Sequence, residues 1–291
     1  MTEDLKNYLL ESHSPSTVKI YLFDISHYIG WMGKERAEQA AYSDVMDYVA
    51  HLRREYHNTN TIRRTLYGIK AWYFYLIDTG QRQDHPCRYL RLRDARESEV
   101  QLQDLFTSNE MEKLMQRKER YPMAELRNKV VISLLIYQGL RAGEITRLRL
   151  QDIDLEAGEI YIRSSPVSLA RELKLKARQV MIFYKYIHQA RPRLLKLKAD
   201  TQRLILTLRG SPEEGEGINY LVETFKPLFP EKNLNPTTLR QSVIANLLNE
   251  GKDLRVVQAF AGHMNISTTE KYRQSGLKEL REAIDKYHPL G

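Results

Sequence analysis

Apolar residues recur at helical spacing along the first part of the chain, with almost no strand-like alternation. In "NTIRRTLYGIKAWYFYLIDTG" one stripe comprises Ile62, Leu66, Ile69, Tyr73 and Leu76, while Asn60, Arg64 and Tyr67 face the other way. The preceding segment, "SPSTVKIYLFDISHYIGWM", has similar periodicity. Thr17 and the run 58–60 are the expected helix N-caps. The pattern predicts a small helical bundle.

The periodicity stops at "HPCRYLRLRDARESEVQLQDL", residues 85–105, which is charged and irregular. Such a stretch is typical of an interdomain linker. A chain of 291 residues also exceeds what one core usually accommodates. We therefore predict a helical domain over 1–90, a linker over 91–105 and a second domain over 106–291.

The second domain has a mixed pattern. We expect helices that begin at Thr107 or Ser108 and near Ala142, and helices that end at Gly139, Gly251 and Gly262. "IDLEAGEIYI" has the alternation and glycine turn of a hairpin, "RQVMIFY" could add a third strand, and 209–217 is turn-rich and predicts a surface loop. The fold class predicted is mainly α with a small antiparallel β-sheet.

Charge is distributed unevenly between the two parts. Residues 1–99 carry 14 Lys and Arg and 14 Asp and Glu, whereas the remainder carries 31 and 23. The whole excess of the net charge of +8 therefore lies in the second part. A basic surplus of this kind favours a polyanionic partner such as nucleic acid, although many basic domains bind none.

The remaining composition excludes several classes. No apolar run approaches the roughly 20 residues that cross a bilayer, and the acidic start lacks a signal pattern, so we expect a cytoplasmic protein without a membrane partner. Cys87 is the single cysteine and cannot form an internal disulfide. We expect it to be inert.

Two segments carry the residues that suggest a function. "YQGLRAGEITRLRLQDID" covers 137–154, and "NPTTLRQSVIANLLNEGKDLRVVQAFAGHMNISTTEKY" covers 235–272. With the mixed pattern between them, they resemble the catalytic domain of tyrosine recombinases, of the Xer type or the phage and transposon integrase type. The N-terminal part resembles the helical, SAM-like core-binding domain of that family. The resemblance therefore spans nearly the whole chain.

The resemblance implies that Arg141 and Arg240 bind the scissile phosphate. Independently, two guanidinium groups can hold both non-bridging oxygens and stabilise the added charge of the transition state. Glu144 follows Arg141 by one helical turn and could orient it through an ion pair. The ordinary role of a single helical arginine is a solvated surface charge; only the matching motifs favour the catalytic role.

By the same resemblance His263 donates a hydrogen bond to the phosphate and Tyr272 is the nucleophile. A phenol has a pKa near 10, so it needs nearby positive charge or a proton acceptor to attack at neutral pH. The chain has 18 tyrosines, most of which are expected to pack amphipathically. The spacing from His263 and the preceding motif distinguish Tyr272.

Family members place a lysine general acid on the hairpin between the second and third strands. Counting back from "RQVMIFY", Lys174 is our first candidate and Lys176 the second, and alternation places both on one face of an extended segment. For either lysine, an exposed salt bridge is the ordinary alternative.

The chain departs from the family pattern at Thr237, where the family has a histidine three residues before the second arginine. A threonine can hydrogen-bond a phosphate oxygen but cannot accept a proton from tyrosine near pH 7. Gln241 likewise stands where relatives often have histidine. The proton acceptor is therefore unassigned, and slower cleavage is expected.

The resemblance implies a site-specific recombinase that forms a 3′-phosphotyrosyl intermediate and needs no metal, ATP or other cofactor. Its partner would be double-stranded DNA with an inverted-repeat site, bound by a homotetramer that exchanges C-terminal helices; cis packing of that tail is the alternative. Candidate DNA contacts are Arg63, Arg64, Lys70 and Lys176. A non-catalytic DNA-binding protein and a type IB topoisomerase are the rival functions.

Overall fold

A computed structural model describes residues 3–92, 104–195 and 201–272 of the chain. It divides into two compact units, Met1–Ser98 and Glu99–Gly291. The described residues include no helix that is both long and apolar enough to cross a membrane. Each unit has its own apolar core.

The described residues of the first unit form a bundle of five helices. They are α1 (Glu3–Ser12), α2 (Pro15–Met32), α3 (Lys34–Gln39), α4 (Tyr42–Glu55) and α5 (Thr59–Asp78). The predicted stripe of α5 is buried throughout. Asn58 caps α5 by accepting the Asn60 N–H at 2.9 Å, as predicted. The expected cap at Thr17 is wrong: Ser14 accepts the Thr17 N–H at 3.3 Å, because Pro15 already opens α2.

The segment after α5 belongs to this bundle. Cys87 and Leu90 are buried in its core, so the irregular stretch that begins at residue 85 folds onto the helices before any linker starts. Residues 93–103 of the predicted linker lie outside the described residues.

The second unit combines helices with a three-stranded antiparallel sheet of order β1-β2-β3. Its strands are β1 (Ile153–Asp154), β2 (Glu159–Ile162) and β3 (Arg171–Lys174). Its helices are α6 (Ser108–Leu114), α7 (Pro122–Tyr137), α8 (Ala142–Arg147), α9 (Ala177–Lys185), α10 (Arg191–Leu195), α11 (Gly215–Glu223), α12 (Pro236–Asn249) and α13 (Leu254–Ala261). The predicted fold class, mainly helical with a small antiparallel sheet, is confirmed.

One element was assigned wrongly from the sequence. "RQVMIFY" lies within α9, and the third strand is the preceding segment, β3. Gln179 and Phe183 are buried one turn apart, and the Gln179 Oε1 accepts the Lys176 N–H at 2.9 Å to start the helix. A short apolar run does not distinguish strand from helix by periodicity alone. Here the burial of Gln179 and Phe183 on one face shows that the segment is a helix.

The predicted surface loop at 209–217 is correct only in part. Glu213 is buried and forms an ion pair with Arg127 of α7, and α11 begins at Gly215. A buried guanidinium needs a carboxylate partner. That pair therefore draws this loop into the second unit.

Candidate active site

Arg141 is placed by a glycine turn. α7 ends at Tyr137, and Gly139 follows with φ of 59°. A Cβ at Gly139 would approach Val243 of α12 to 3.3 Å, so the turn combines a left-handed backbone with a close helix contact. The Arg141 N–H then donates to Glu144 Oε2 at 2.9 Å as α8 starts. This leaves the Arg141 guanidinium partly exposed at the edge of the site.

Glu144 is the centre of an arginine cluster. It is 3% exposed and accepts Arg171 Nη1 on Oε1 at 3.0 Å and Arg171 Nη2 on Oε2 at 2.9 Å. Ser168 Oγ donates at 2.7 Å, Arg141 Nη1 lies at 3.4 Å, and Arg240 Nη1 lies 3.9 Å away. Burial acts to raise the pKa of this carboxyl, but Arg171 and the Arg141 N–H outweigh it and lower that pKa to about 2. Three guanidinium groups therefore share one ionised carboxylate.

Arg240 lies on α12 and hydrogen-bonds the backbone at the ends of two other helices, α7 and α13. It is 6% exposed, and it donates through Nη1 to Gly139 O at 2.7 Å and through Nη2 to Ala261 O at 2.6 Å. Burial, followed by the charge of Arg141, lowers its pKa to about 10. The guanidinium is therefore charged at neutral pH and locked between the ends of α7 and α13.

His263 follows the Gly262 turn that ends α13. It is 3% exposed, its N–H bonds Gln258 O at 3.1 Å, and its Nδ1 lies 2.9 Å from Thr269 Oγ1. Burial, and then the charge of Arg240, lowers its pKa to about 4. The imidazole is therefore neutral at pH 7.

Tyr272 ends the helical residues 266–272, and its ring packs against Ile244, Val257 and Ala261. Burial raises the pKa of the phenol, although Arg240 acts in the opposite direction and the Gln241 side chain interacts with the hydroxyl. The residue predicted as the nucleophile thus packs on the cluster that contains Ala261, whose carbonyl Arg240 binds, within the same chain. Its phenol is protonated at neutral pH in this arrangement.

Thr237 lies on the first turn of α12 and is exposed. Its N–H donates to Asn235 Oδ1 at 2.9 Å, which is a capping contact. Residues three and four apart share a helix face, so Thr237 shares the face of Arg240 and Gln241. That face carries no titratable base.

The lysine candidates are not on the hairpin where they were expected. The segment between β2 and β3, residues 163–170, contains no lysine. Lys174 ends β3, forms an ion pair with Glu159 and has a side chain 77% exposed. Lys176 precedes α9 with Nζ 3.9 Å from the centre of the Tyr137 ring. The expected placement is wrong because the strand assignment on which the count relied is wrong.

The candidate DNA contacts of the first unit are engaged within that unit. Arg64 donates through Nε and Nη2 to the buried Asp24, at 3.1 Å each. Lys70 donates to two carbonyls of the segment after α5, at 2.6 and 3.1 Å, and Arg63 reaches a third at 3.4 Å. These bonds stabilise the bundle. A DNA role for the three residues stays a prediction.

Arg171, Ser168 and Thr269 were missed from the sequence. Arg171 alternates with Leu173 of β3 and with Leu175, which follows the strand, and all three are buried. An arginine in an otherwise apolar alternation was the signal that could have indicated a buried ion pair. A Cβ at Gly262 would approach Arg171 Nη1 to 2.5 Å. Arg171 therefore packs directly against the turn that presents His263.

Two family models match this chain. The phage integrase family matches residues 104–279, and the N-terminal SAM-like domain of phage integrases matches residues 3–80. The first match alone covers more than half of the chain. The two matches lie in the two units described above.

Similar curated proteins carry recombinase names. A tyrosine recombinase XerC of Halalkalibacterium halodurans is 27% identical over 286 residues, covering 96% of this chain and 93% of the relative. A tyrosine recombinase XerD of Listeria innocua is 24% identical, covering 99% and 98%. The likeness therefore extends over nearly the full length of this chain and of each relative.

Solved structures show the same fold. XerH site-specific recombinase bound to palindromic difH substrate, in a post-cleavage complex, superposes with a TM-score of 0.71 at 17% identity, over 91% of this chain and 78% of that one. A lambda integrase dimer bound to a core site gives 0.64 at 15% identity, over 93% of both chains. The predicted family is confirmed by the sequence matches, and the fold by these superpositions. This chain belongs to the phage integrase family.

Proposed function

We propose that this protein is a site-specific DNA recombinase that cuts and rejoins duplex DNA with Tyr272 as the nucleophile. The observation that carries the proposal is the cluster of Arg141 and Arg240 at the buried Glu144, with both arginines close enough to His263 and Tyr272 that their charge acts to lower the pKa of each. An excess of guanidinium charge over carboxylate, beside a phenol, fits a phosphodiester anion. The recombinase names of the relatives support the same function.

The proposed reaction exchanges one phosphate ester for another. Arg141 and Arg240 bind the non-bridging oxygens while the Tyr272 oxygen attacks phosphorus. The bond from phosphorus to the 5′ oxygen breaks, which leaves a 3′-phosphotyrosine and a 5′ hydroxyl. The phenol loses one proton and the 5′ oxygen gains one. A 5′ hydroxyl of the partner duplex reverses the step, so the exchange needs no ATP.

Proton donation to the 5′ oxygen requires a general acid. Lys174 and Lys176 remain the candidate acids, but Lys174 is the fourth residue of β3, three residues or about 10 Å from Arg171. Its ammonium is also paired with Glu159. Donation by Lys174 would therefore require the end of β3 to move towards the arginine cluster on DNA.

Proton removal from Tyr272 is expected to limit cleavage, because Thr237 and Gln241 cannot act as bases. Replacing Thr237 by histidine should raise the single-turnover cleavage rate of a suicide substrate by about tenfold or more, since a positioned base contributes about 10²–10⁴-fold. Thr237→Gln adds bulk and hydrogen bonding without a base, so it should give no increase. An unchanged rate in Thr237→His would mean that base catalysis is not limiting.

The function is tested by selecting bound DNA from a random library and incubating nicked versions of it with the protein. Denaturing electrophoresis should show a covalent protein–DNA adduct that Tyr272→Phe abolishes completely. Tyr220→Phe removes an exposed hydroxyl of α11 and should leave the adduct intact. Binding to selected DNA without an adduct would favour the second candidate, a non-catalytic DNA-binding protein, for which Thr237 is the motivating observation.

We also propose the assembly that the family resemblance implies: a homotetramer on two synapsed inverted-repeat sites. The N-terminal helical unit would bind the same duplex through Arg63, Arg64 and Lys70, with Lys176 as a further contact in the second unit. The tail proposed to exchange between subunits, after residue 272, lies outside the described residues. An inverted repeat with a short central spacer in the selected DNA would support this assembly.

A further inference from the structure

We propose that Thr269 is a positioning residue that holds neutral His263 in the tautomer with its proton on Nε2. The hydroxyl of Thr269 would donate to Nδ1, so that Nε2–H is left to donate to the substrate phosphate. The kinetic consequence rests on the proposed function, whereas the tautomer itself can be measured without DNA.

The first step of the argument is burial. Thr269 is 0% exposed, and its Oγ1 lies 2.9 Å from His263 Nδ1. Within the described part of the chain this is the only hydrogen bond that the hydroxyl makes. Water cannot therefore satisfy either of its two hydrogen-bonding functions, the proton that it donates or the lone pairs that it offers.

The second step is a count of donors. A buried donor without an acceptor loses the hydrogen bond that it made to water, whereas a hydroxyl oxygen loses less when a lone pair stays unused. If Nδ1 carried the proton, it would donate to Thr269 Oγ1 and leave the hydroxyl proton without an acceptor. If Thr269 donates to Nδ1, the hydroxyl proton has an acceptor, and the ring proton lies on Nε2, which is not among the buried side-chain atoms without a partner in the described residues. The second arrangement places the single N–H of the neutral ring on Nε2.

The third step concerns the charge state of the ring. Burial is the largest influence that disfavours a charged imidazolium at His263; Arg240, Arg141 and Arg171 act in the same direction, and Glu144 opposes them. The ring is therefore neutral at pH 7 and has only one N–H. Which nitrogen carries it decides whether His263 can donate to an anion from the ring edge opposite Thr269. A fixed tautomer thus makes a neutral histidine a donor.

Thr269 also connects His263 to the nucleophile. It lies three residues before Tyr272 within the helical residues 266–272, so one hydrogen bond joins the histidine turn to the helix that carries the phenol. Displacement of that helix would break the hydrogen bond, and the His263 ring would then no longer be held in one tautomer. His263 would then be a competent donor only while the Tyr272 helix is in place.

The tautomer is tested by ¹⁵N NMR of histidine side chains in the full-length protein without DNA. The chain has eight histidines, and His263→Gln identifies the signal that belongs to this one. At pH 7 we expect a protonated Nε2 and an unprotonated Nδ1, retained in Thr269→Ser and lost to a mixture in Thr269→Val. A protonated Nδ1 in the wild type, or an unchanged pattern in Thr269→Val, would overturn the proposal.

The kinetic test uses the same variants on a selected suicide substrate. Loss of a transition-state donor lowers a reaction rate by about 10²–10³-fold. In a tautomer mixture, part of the protein still has the proton on Nε2 and can donate. Thr269→Val should therefore cleave about tenfold more slowly than the wild type at saturating DNA. DNA affinity should not change, and Thr269→Ser should restore the rate. Thr268→Val, at the exposed neighbour, is the matched control.

The NMR and kinetic measurements together distinguish failure of this proposal from failure of the proposed function. Thr269→Ser cleaving as slowly as Thr269→Val would indicate that the methyl group matters through packing, which contradicts the proposal. A wild type that never cleaves DNA, yet shows the expected tautomer, would contradict the proposed function and leave the role of Thr269 at His263 intact. Circular dichroism of each variant verifies folding.

Discussion

Replacing Glu144 by glutamine is expected to destabilise the second unit by about 3–5 kcal/mol, the usual cost of breaking a buried ion pair. The carboxylate is the only one that the described residues bring to the guanidiniums of Arg141, Arg171 and Arg240. Glutamine keeps the volume but removes the charge, so buried cations would then repel each other. Urea unfolding followed by far-UV circular dichroism measures the change.

The two tryptophans provide an internal reference for that measurement. Trp31 and Trp72 both lie in the first unit, so their fluorescence follows that unit alone. Glu144→Gln should leave the fluorescence transition in place while the dichroism transition moves to lower urea. Glu112→Gln is the matched control, because Glu112 forms long surface pairs with Lys176 and Arg178, at 4.0 and 3.7 Å, and glutamine can still accept a hydrogen bond from the Tyr137 hydroxyl. Equal effects of the two substitutions would contradict the central role of Glu144.

The ion pair of Glu144 with the arginines also predicts how the stability of the second unit depends on pH. The pKa of Glu144 is lowered to about 2 in the folded chain from an ordinary value of 4.5, so the stabilisation is complete above about pH 4.5. It is lost as pH falls from there through 2, because the unfolded chain takes up the proton first. The stability difference between wild type and Glu144→Gln should therefore narrow below about pH 4.5.

Replacing Arg240 by lysine should lower the cleavage rate by about 10²–10³-fold, the range observed when one preorganised transition-state donor is removed. Arg240 donates in two directions, to Gly139 O at 2.7 Å and to Ala261 O at 2.6 Å. An ammonium group keeps the charge but cannot reproduce that planar geometry or bind two phosphate oxygens in parallel. Single-turnover cleavage of a suicide substrate at saturating DNA measures the loss.

The control for this substitution is Arg255→Lys, at an exposed arginine of α13. It makes the same chemical change without disturbing a buried carbonyl, so cleavage should remain close to that of the wild type. Because both variants keep their positive charge, DNA affinity should also change little. A cleavage rate for Arg240→Lys equal to that of Arg255→Lys would remove Arg240 from the proposed transition-state contacts.

Much of the fold could be predicted because it depends on local signals. The stripe of α5, the glycine at the end of α7 and the Thr107 cap of α6 each follow from residues that lie close together in sequence. Helical periodicity and capping chemistry act over a few residues. The prediction of a third strand at "RQVMIFY" was wrong because the contacts that make this segment a helix come from residues distant in sequence. Gln179 hydrogen-bonds Ser133 and Gln138.

The sequence by itself determined the residue types of the site: a Gly-Leu-Arg turn, a second arginine in "TTLRQS", and a histidine nine residues before a tyrosine. It also showed the absence of a base at Thr237, since side-chain chemistry does not depend on the fold. These features needed only identity and short spacing. Through the family resemblance that they carry, they were sufficient to indicate phosphate chemistry.

Only the tertiary structure decided which side chains share an environment. It brought Arg171 to Glu144 across 27 residues, and it joined Thr269 to His263. It also placed Lys174 on the exposed end of β3, away from the arginine cluster. Burial and charge at a site depend on every element packed there, and a linear pattern does not contain those distances. The charge state of His263 and its proposed hydrogen-bond geometry therefore followed from packing alone.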